Sequence, residues 1–525
     1  MKKIDEEIQL LLREYDGDLG HALAENTRLD YLYAISKQRE LLLEWYDFEP
    51  EEEILQIGAD YGAMTGLYQN AVRAVTVLDR DEKALRTVQL RYPNAENIVY
   101  EKGSLEEYGK RLAGEGKKFQ YVILAGTPEG EWGEQITRAK AMLKEDGVLI
   151  VAAANALGMK YWAGSRREED ELSKKRLIRL LCGDSAGGGY LRFYYPMPDF
   201  RTPVTIYSDE YLPRKGDLTR VTPAYDYPPY HMMNMGEGFD AVCEDGLFDL
   251  YANSYLVFWS RDPEQLERNE KIFIKYNKTR REPFQIRTCI CQRGKLDRVA
   301  KGVCSKAAEL EGMDGRRTAD RENDGIGWQA AAIRPGERYV EKAALCLEGM
   351  GHIWSFQEKY QRLSKLHQTI KMVEPDCQKD RNAVLFPYLK GATWAEQIGQ
   401  EISKGKLPLE TLKEAMKRLD DRDKDSRSGF VRTGEFMEIF GEGLEEPDLA
   451  LLEKDLASPV SNIDILLENI LTTDSGDYCL DYEWVFLFPV PEHFVWYRVL
   501  YYFYEQYAIL MVHVELEQIL GAFGF

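Results

Sequence analysis

The stretch Glu53-Ile54-Leu55-Gln56-Ile57-Gly58-Ala59-Asp60-Tyr61-Gly62 decides how the chain is read. A short apolar run enters a glycine-bearing turn, and the residues that follow open a helix. Glycines at such a turn let the backbone approach a ligand without a Cβ in the way. About twenty residues on, a second apolar run, Ala74-Val75-Thr76-Val77-Leu78, ends in Asp79. A carboxylate at that place can accept both hydroxyls of a ribose. Strand, glycine turn, helix and acid in this order mark a nucleoside-binding crevice at the carboxyl ends of the strands.

Working outward, further strand-like runs lie at Asn97 to Tyr100, Phe119 to Leu124 and Gly147 to Ala153, with helical patterns such as Gln135 to Leu143 between them. Strands alternating with helices predict an α/β fold with a doubly wound, Rossmann-like parallel sheet. Before it, Glu6 to Tyr15 and Tyr31 to Tyr46 read as helices. After Ala154 the chain turns aromatic, and Phe193 to Phe200 and Tyr225 to Tyr230 read as strands and loops over the ligand end. A polar linker, Ser260 to Lys271, precedes a second fold. That fold opens with strands at Phe284 to Cys291, carries a polar mobile loop at Gly312 to Gly325, and is mainly helical from about Leu345. The expected division is N-terminal helices over 1–50, a nucleoside-binding domain with a substrate-side extension over 51–262, and an α+β domain over 263–525.

Composition narrows the function classes. In 525 residues, Lys+Arg is 68 and Asp+Glu is 89, a formal net charge of −21. No nucleic-acid partner is expected, because a phosphate-tracking surface needs local excess cation. Hydrophobic residues at 44% and charged residues at 30% fit a soluble globular chain. The greasiest stretch, Phe486 to Val514, is broken by Glu492, Arg498 and Glu505, so no transmembrane segment is expected. The charged start, Met1 to Glu7, predicts no signal peptide. The eight cysteines are scattered, with no CxxC pair, and Cys289-x-Cys291 suits a buried strand face. Structural zinc is not expected, and a reducing, cytoplasmic compartment is.

The turn and its acid resemble those of class I S-adenosylmethionine-dependent methyltransferases. Tyr33-Ala34-Ile35-Ser36-Lys37-Gln38-Arg39 before Trp45, ILQIGADYGAMTGLY (54–68) and ALGMKYWAG (156–164) are similar to a bacterial branch of that family. That branch accompanies glycosyltransferases in cell-surface polysaccharide gene clusters. FYYPMPDF (193–200), IYSDEYLP (206–213) and LYANSYLVF (250–258) fit it too. The resemblance implies that Gly58, Gly62 and Asp79 hold S-adenosylmethionine, with Gln56 and Asp60 lining its amino-acid end. The chain also departs from the pattern. Gln56 replaces the acid that ends the first strand, and Asp60 replaces the middle glycine. Ala154-Asn155 stands for a Glu-Asn pair, and Ser165 to Asp170 for an acidic-His segment. A catalytically weakened domain therefore stands beside an active one as a reading.

A second constellation lies near the C-terminus. Asp464 and Asn469 are followed by Asp481, at the end of the run Tyr478-Cys479-Leu480. Kinase-like phosphoryl transfer uses an Asp to orient the acceptor hydroxyl, and an Asn and a second Asp to hold magnesium against the phosphates. With the DYEW string (481–484), an aromatic helix after it and a hinge-like Phe386 to Gly391, the region resembles aminoglycoside- and lipopolysaccharide-kinase-like folds. Asn462 stands where such families often have His, and no GxGxxG precedes the lysine. That lysine is Lys301 or Lys342. Lys342 is preferred, with Glu358 as its ion-pair partner on the next helix. ATP and magnesium would then sit between Lys342, Asn469 and Asp481, with Asp464 facing the acceptor.

Two other leads close. Asp421-x-Asp423-x-Asp425 starts like an EF-hand, but Ser426 and Arg432 occupy the glycine and terminal-carboxylate positions. His231, His352, His367 and His493 have no metal-ligand spacing. The combination resembles bifunctional methyltransferase–kinase proteins that cap bacterial surface polysaccharides, acting on a sugar hydroxyl or phosphate of a growing glycan. The competing class is a scaffold that docks glycosyltransferases through two degenerate enzyme folds.

Overall fold

The computed structural model describes residues 4–114, 116–126, 130–167, 171–183, 188–218, 232–294, 300–301, 333–379, 382–420, 426–511 and 514–525. The expectations placed on Glu168 to Asp170, Tyr225 to Tyr230, His231, Gly312 to Gly325 and Asp421 to Asp425 lie outside them. The chain forms two compact units. One is built on Met1–Thr279 with segments returning from Arg287 and Arg334; the other is built on Arg280–Ile286 and the chain from Arg338 to Phe525.

The first unit is organised by five parallel strands: β1 (Glu53–Ile57), β2 (Ala74–Asp79), β3 (Ile98–Lys102), β4 (Phe119–Ala125) and β5 (Leu143–Ala154). Their order is β3-β2-β1-β4-β5. Ile57 pairs with Leu78 on one side and Leu124 on the other, so the turn after β1 emerges at the centre of the sheet's carboxyl edge. Phe119, Tyr121, Val122, Ile123 and Leu124 are all buried, as a parallel strand covered on both faces requires.

Beyond β5 the sheet becomes antiparallel. It continues through β6 (Tyr190–Met197), β7 (Thr205–Ser208) and β8 (Ser254–Ser260), with β8 against β5, β6 against β8, and β7 against β6. The stretch read as a linker does not separate a new fold at this point. Asp262 caps a short helix, Pro263–Glu267, that has proline in its first turn. The chain then enters β9 (Lys271–Asn277), which pairs with β7. Alternate burial of Ile272, Ile274 and Tyr276 keeps β9 in the sheet. Next to it lies β10 (Ile286–Gln292), where Cys289 and Cys291 are both buried.

The helix expected over Tyr31 to Tyr46 is broken. A helix Leu29–Ile35 stops at Ser36, which is extended (ψ 134°), and a 3-10 segment Lys37–Leu42 follows. The Ser36 hydroxyl accepts the N–H of Gln38, the local competition that favours serine at a cap over a helix interior.

The second unit is less helical after Leu345 than its composition suggests. A strand Arg338–Ala344 pairs antiparallel with Ala383–Pro387, setting Lys342 opposite Val384. A second small sheet joins Ile370–Met372, Gly476–Cys479 and Ile470–Thr473. Strands of three to five residues are too short for a two-residue period to register against helical neighbours. The core of this unit gathers Ile353, Phe356, Trp394, Leu467, Tyr482, Val499 and Leu500. Among the described residues, no helix is long and apolar enough to cross a membrane.

Candidate functional site

The turn after β1 is built on residues with positive φ: Gly58 (88°), Asp60 (43°), Tyr61 (54°) and Gly62 (73°). Glycine at 62 is needed for space as well. A Cβ there would lie 3.0 Å from a ring carbon of Tyr92 and 3.1 Å from the Arg91 side chain. Asp79 ends β2 facing this turn. Its Oδ2 accepts the N–H of Ala59 at 2.8 Å, and its Oδ1 accepts the N–H of Asp81 at 2.8 Å. One bond per oxygen leaves each a second lone pair for a ligand hydroxyl.

Gln56 has a structural task. Its side-chain nitrogen donates to the carbonyls of Gly58 (2.9 Å) and Ala59 (3.4 Å), while its oxygen accepts from the Thr65 hydroxyl at 2.8 Å. An amide matches two acceptors and a donor; a carboxylate would not. Asn155 behaves alike. Buried, it donates to the carbonyls of Leu250 (2.8 Å) and Ala252 (2.6 Å) and accepts from Leu157 N–H at 3.0 Å.

Asp60 carries the charge that Gln56 lacks. Its Oδ2 pairs with the buried Arg39 guanidinium at 2.6 Å, and Arg39 also donates to the carbonyl of Tyr33 at 2.7 Å. The Tyr68 hydroxyl lies within electrostatic reach of Asp60 and Arg39. Arg39 Nε and the Tyr68 hydroxyl are buried and have no hydrogen-bond partner among the described residues. Opposite charges beside two unsatisfied donors suit the zwitterionic end of an amino acid, so the residues present fit S-adenosylmethionine. Arg91 fastens the covering segment to the turn by donating to the carbonyls of Ala34, Tyr61 and Ile35.

In the second unit, Lys342 and Asp481 meet: Nζ donates to Oδ1 at 2.7 Å, and Lys342 is buried. Its partner is therefore not Glu358, which is exposed and pairs with Arg362 at 3.3 Å along its own helix. Asp464 accepts the Trp484 N–H at 2.9 Å, and Asn469 donates to the Asp464 carbonyl at 2.9 Å. Burial, reinforced by Asp481, pushes the Asp464 carboxyl up to about 7. Asn462 is part of the same loop, its side-chain oxygen accepting the Asp464 N–H at 2.9 Å. Lys301 belongs to the first unit, where its backbone pairs with Tyr190 of β6. Lys342 and Asp481 thus stand side by side, as ligands of a phosphate and of its cation would, and Asn469 is held against the Asp464 backbone.

The main residue that sequence reasoning missed is Glu483. Although 1% exposed, it accepts from His352 at 2.8 Å, pairs with Arg280, and stands 3.8 Å from Lys342 Nζ. Burial alone would raise its carboxyl, but the His352 hydrogen bond and the Lys342 and Arg280 charges outweigh this and hold it at about 2. Its place in the DYEW string was the available signal. Arg39, the partner of Asp60, closes the Tyr33 to Arg39 motif, whose pattern by itself assigns it no role.

No family model matches the chain, and no curated protein matches it. Solved structures similar to it include precorrin 8W decarboxylase from Methanobacterium thermoautotrophicum (21% identity, 23% of this chain, 64% of that chain, TM-score 0.21). Another is the N-methyltransferase NodS from Bradyrhizobium japonicum, in complex with S-adenosyl-L-homocysteine (19% identity, 28% of this chain, 72% of that chain, TM-score 0.21). A third is Haemonchus contortus phosphoethanolamine N-methyltransferase 1, in complex with phosphoethanolamine and S-adenosylhomocysteine (12% identity, 49% of this chain, 50% of that chain, TM-score 0.28). The chain spans less than two thirds of the length of the first and third of these.

Proposed function

We propose that the first unit is an S-adenosylmethionine-dependent methyltransferase-like module whose acceptor is a sugar hydroxyl or phosphate group of a bacterial surface glycan. The observation that carries the reading is Asp79, held at 2.8 Å against the turn after β1 with lone pairs to spare. In this reading Asp79 accepts the ribose hydroxyls, Gly58 and Gly62 let the backbone come close, and Asp60 with Arg39 receives the ammonium and carboxylate. Gln56 keeps the turn in shape. The cofactor supplies an electrophilic methyl group, so the chain's main duty is in-line placement of an acceptor. The experiment is calorimetric titration with S-adenosylhomocysteine. Asp79→Ala should weaken binding by about 1–3 kcal/mol, the range for hydrogen bonds to a charged group. Unchanged affinity overturns the role of Asp79, and absence of heat with the native chain leaves the scaffold reading, in which the chain docks glycosyltransferases.

A second reading is favoured by the 2.7 Å Lys342–Asp481 pair, with Asp464 within electrostatic reach of both. In it the second unit is a kinase-like phosphotransferase. Bound ATP–magnesium would supply the transferable phosphoryl group. Lys342 would hold phosphate oxygens, Asp481 and Asn469 the cation, and Asp464 would orient the acceptor hydroxyl. Both units would then serve one glycan in the cytoplasm.

A further inference from the structure

We infer that Glu483 is the positioning residue for Lys342, the carboxylate that keeps this lysine in place when Asp481 turns to a cation. The inference rests on the phosphotransferase reading of the second unit. Lys342 is buried between two carboxylates of different standing. Asp481 is the nearer, at 2.7 Å, but its side chain is 33% exposed and it is the proposed cation ligand. Glu483 is farther, at 3.8 Å through Oε2, and its side chain is 2% exposed. Its other oxygen is fixed by His352 and Arg280. Lys359, on the helix Phe356–Leu366, donates to the Glu483 carbonyl and so fixes the backbone as well.

A lysine left alone in such an interior loses its charge or its position. Once Asp481 is drawn to a divalent cation, the ammonium needs another anion close by. Glu358 is turned to solvent, so the adjacent helix does not provide it. Glu483 does, from a side chain clamped at one oxygen and open toward Lys342 at the other. The two carboxylates are tied together locally, Asp481 Oδ1 accepting the Glu483 N–H at 3.2 Å, while Tyr482 between them is buried in the core.

The test measures binding of β,γ-imido-ATP with magnesium to the full chain by calorimetry, with melting curves as the check on folding. Glu483→Gln should weaken binding at least tenfold, Glu483→Asp should restore part of it, and Glu358→Gln should leave it unchanged. In a Lys342→Met background, Glu483→Gln should add less than a twofold loss, because its effect passes through the lysine. A full loss in that background, or no loss in the native one, overturns the positioning role while the phosphotransferase reading stands. Absence of binding by the native chain overturns both. Should Glu483→Gln fail to fold, His352→Gln removes one clamp and is expected to weaken binding in the same lysine-dependent way; no effect there counts against the inference.

Discussion

Asp79 accepts the Ala59 N–H at 2.8 Å, so the side chain proposed to clasp a ribose also closes the turn on which the ribose would rest. Substitution there acts on stability and on binding together. Asp79→Asn keeps one acceptor oxygen but sets an amide N–H against a backbone donor. Unfolding free energy should fall by about 1–2 kcal/mol in urea denaturation, alongside weaker binding of S-adenosylhomocysteine. Loss of binding with unchanged stability would mean that the Ala59 bond contributes nothing to the turn.

Gln56→Glu places a negative oxygen against the carbonyls that the amide now serves. The expected cost is about 1–3 kcal/mol, read from the shift in denaturation midpoint. The same variant supplies the acid that the resemblance to class I methyltransferases leads one to expect at the end of the first strand. A variant that binds cofactor more tightly at no cost in stability would show that the turn does not need an amide.

The fully buried Lys160 ammonium donates to Asp199 at 2.7 Å within the first unit. Removing the carboxylate leaves the lysine charge poorly compensated in a medium that disfavours it. Asp199→Asn should lower stability by about 3–5 kcal/mol, whereas replacing both residues by apolar ones of similar volume should cost much less. Equal losses in the two variants would refute this account.

Asp464 gives the unfolding equilibrium a pH dependence. Burial raises its carboxyl from 3.8 to about 7 in the folded chain, so between these values the folded state holds a proton that the unfolded state has released. Stability contributed by this group is full below pH 3.8 and falls as pH rises toward 7. Asp464→Asn keeps an acceptor for Trp484 N–H and removes the penalty. It should be more stable than the native chain at pH 8, by a margin of up to about 4 kcal/mol, with the gap closing in acid. A gap independent of pH would assign the effect to packing instead.

The parallel half of the first sheet was legible because its inner strands are apolar on both faces and its strands are separated by helices of ordinary length. Its antiparallel continuation was not. Nothing in Lys271 to Asn277 announces pairing with Thr205 and Ile206, whose separation is set by tertiary structure. The site shows the same contrast. Gly58, Gly62 and Asp79 follow one another along a strand–turn–helix–strand path, and local order sufficed to bring them together. Arg39 reaches Asp60 from a segment whose helical period ends at Ser36, and Glu483 reaches Lys342 across a span of sequence no periodicity links. The neutral side chain at 56 reads as a loss only until the carbonyls it serves are seen.

The three carbonyls gathered by Arg91 belong to Ala34, Ile35 and Tyr61, so the clamp leaves the ribosome after every partner it holds. The leading helices must wait, without this fastening, until synthesis has passed the end of the helix Glu82–Arg91. A nascent chain halted before residue 91 should therefore have its first forty residues open to protease, and one halted well beyond it should protect them.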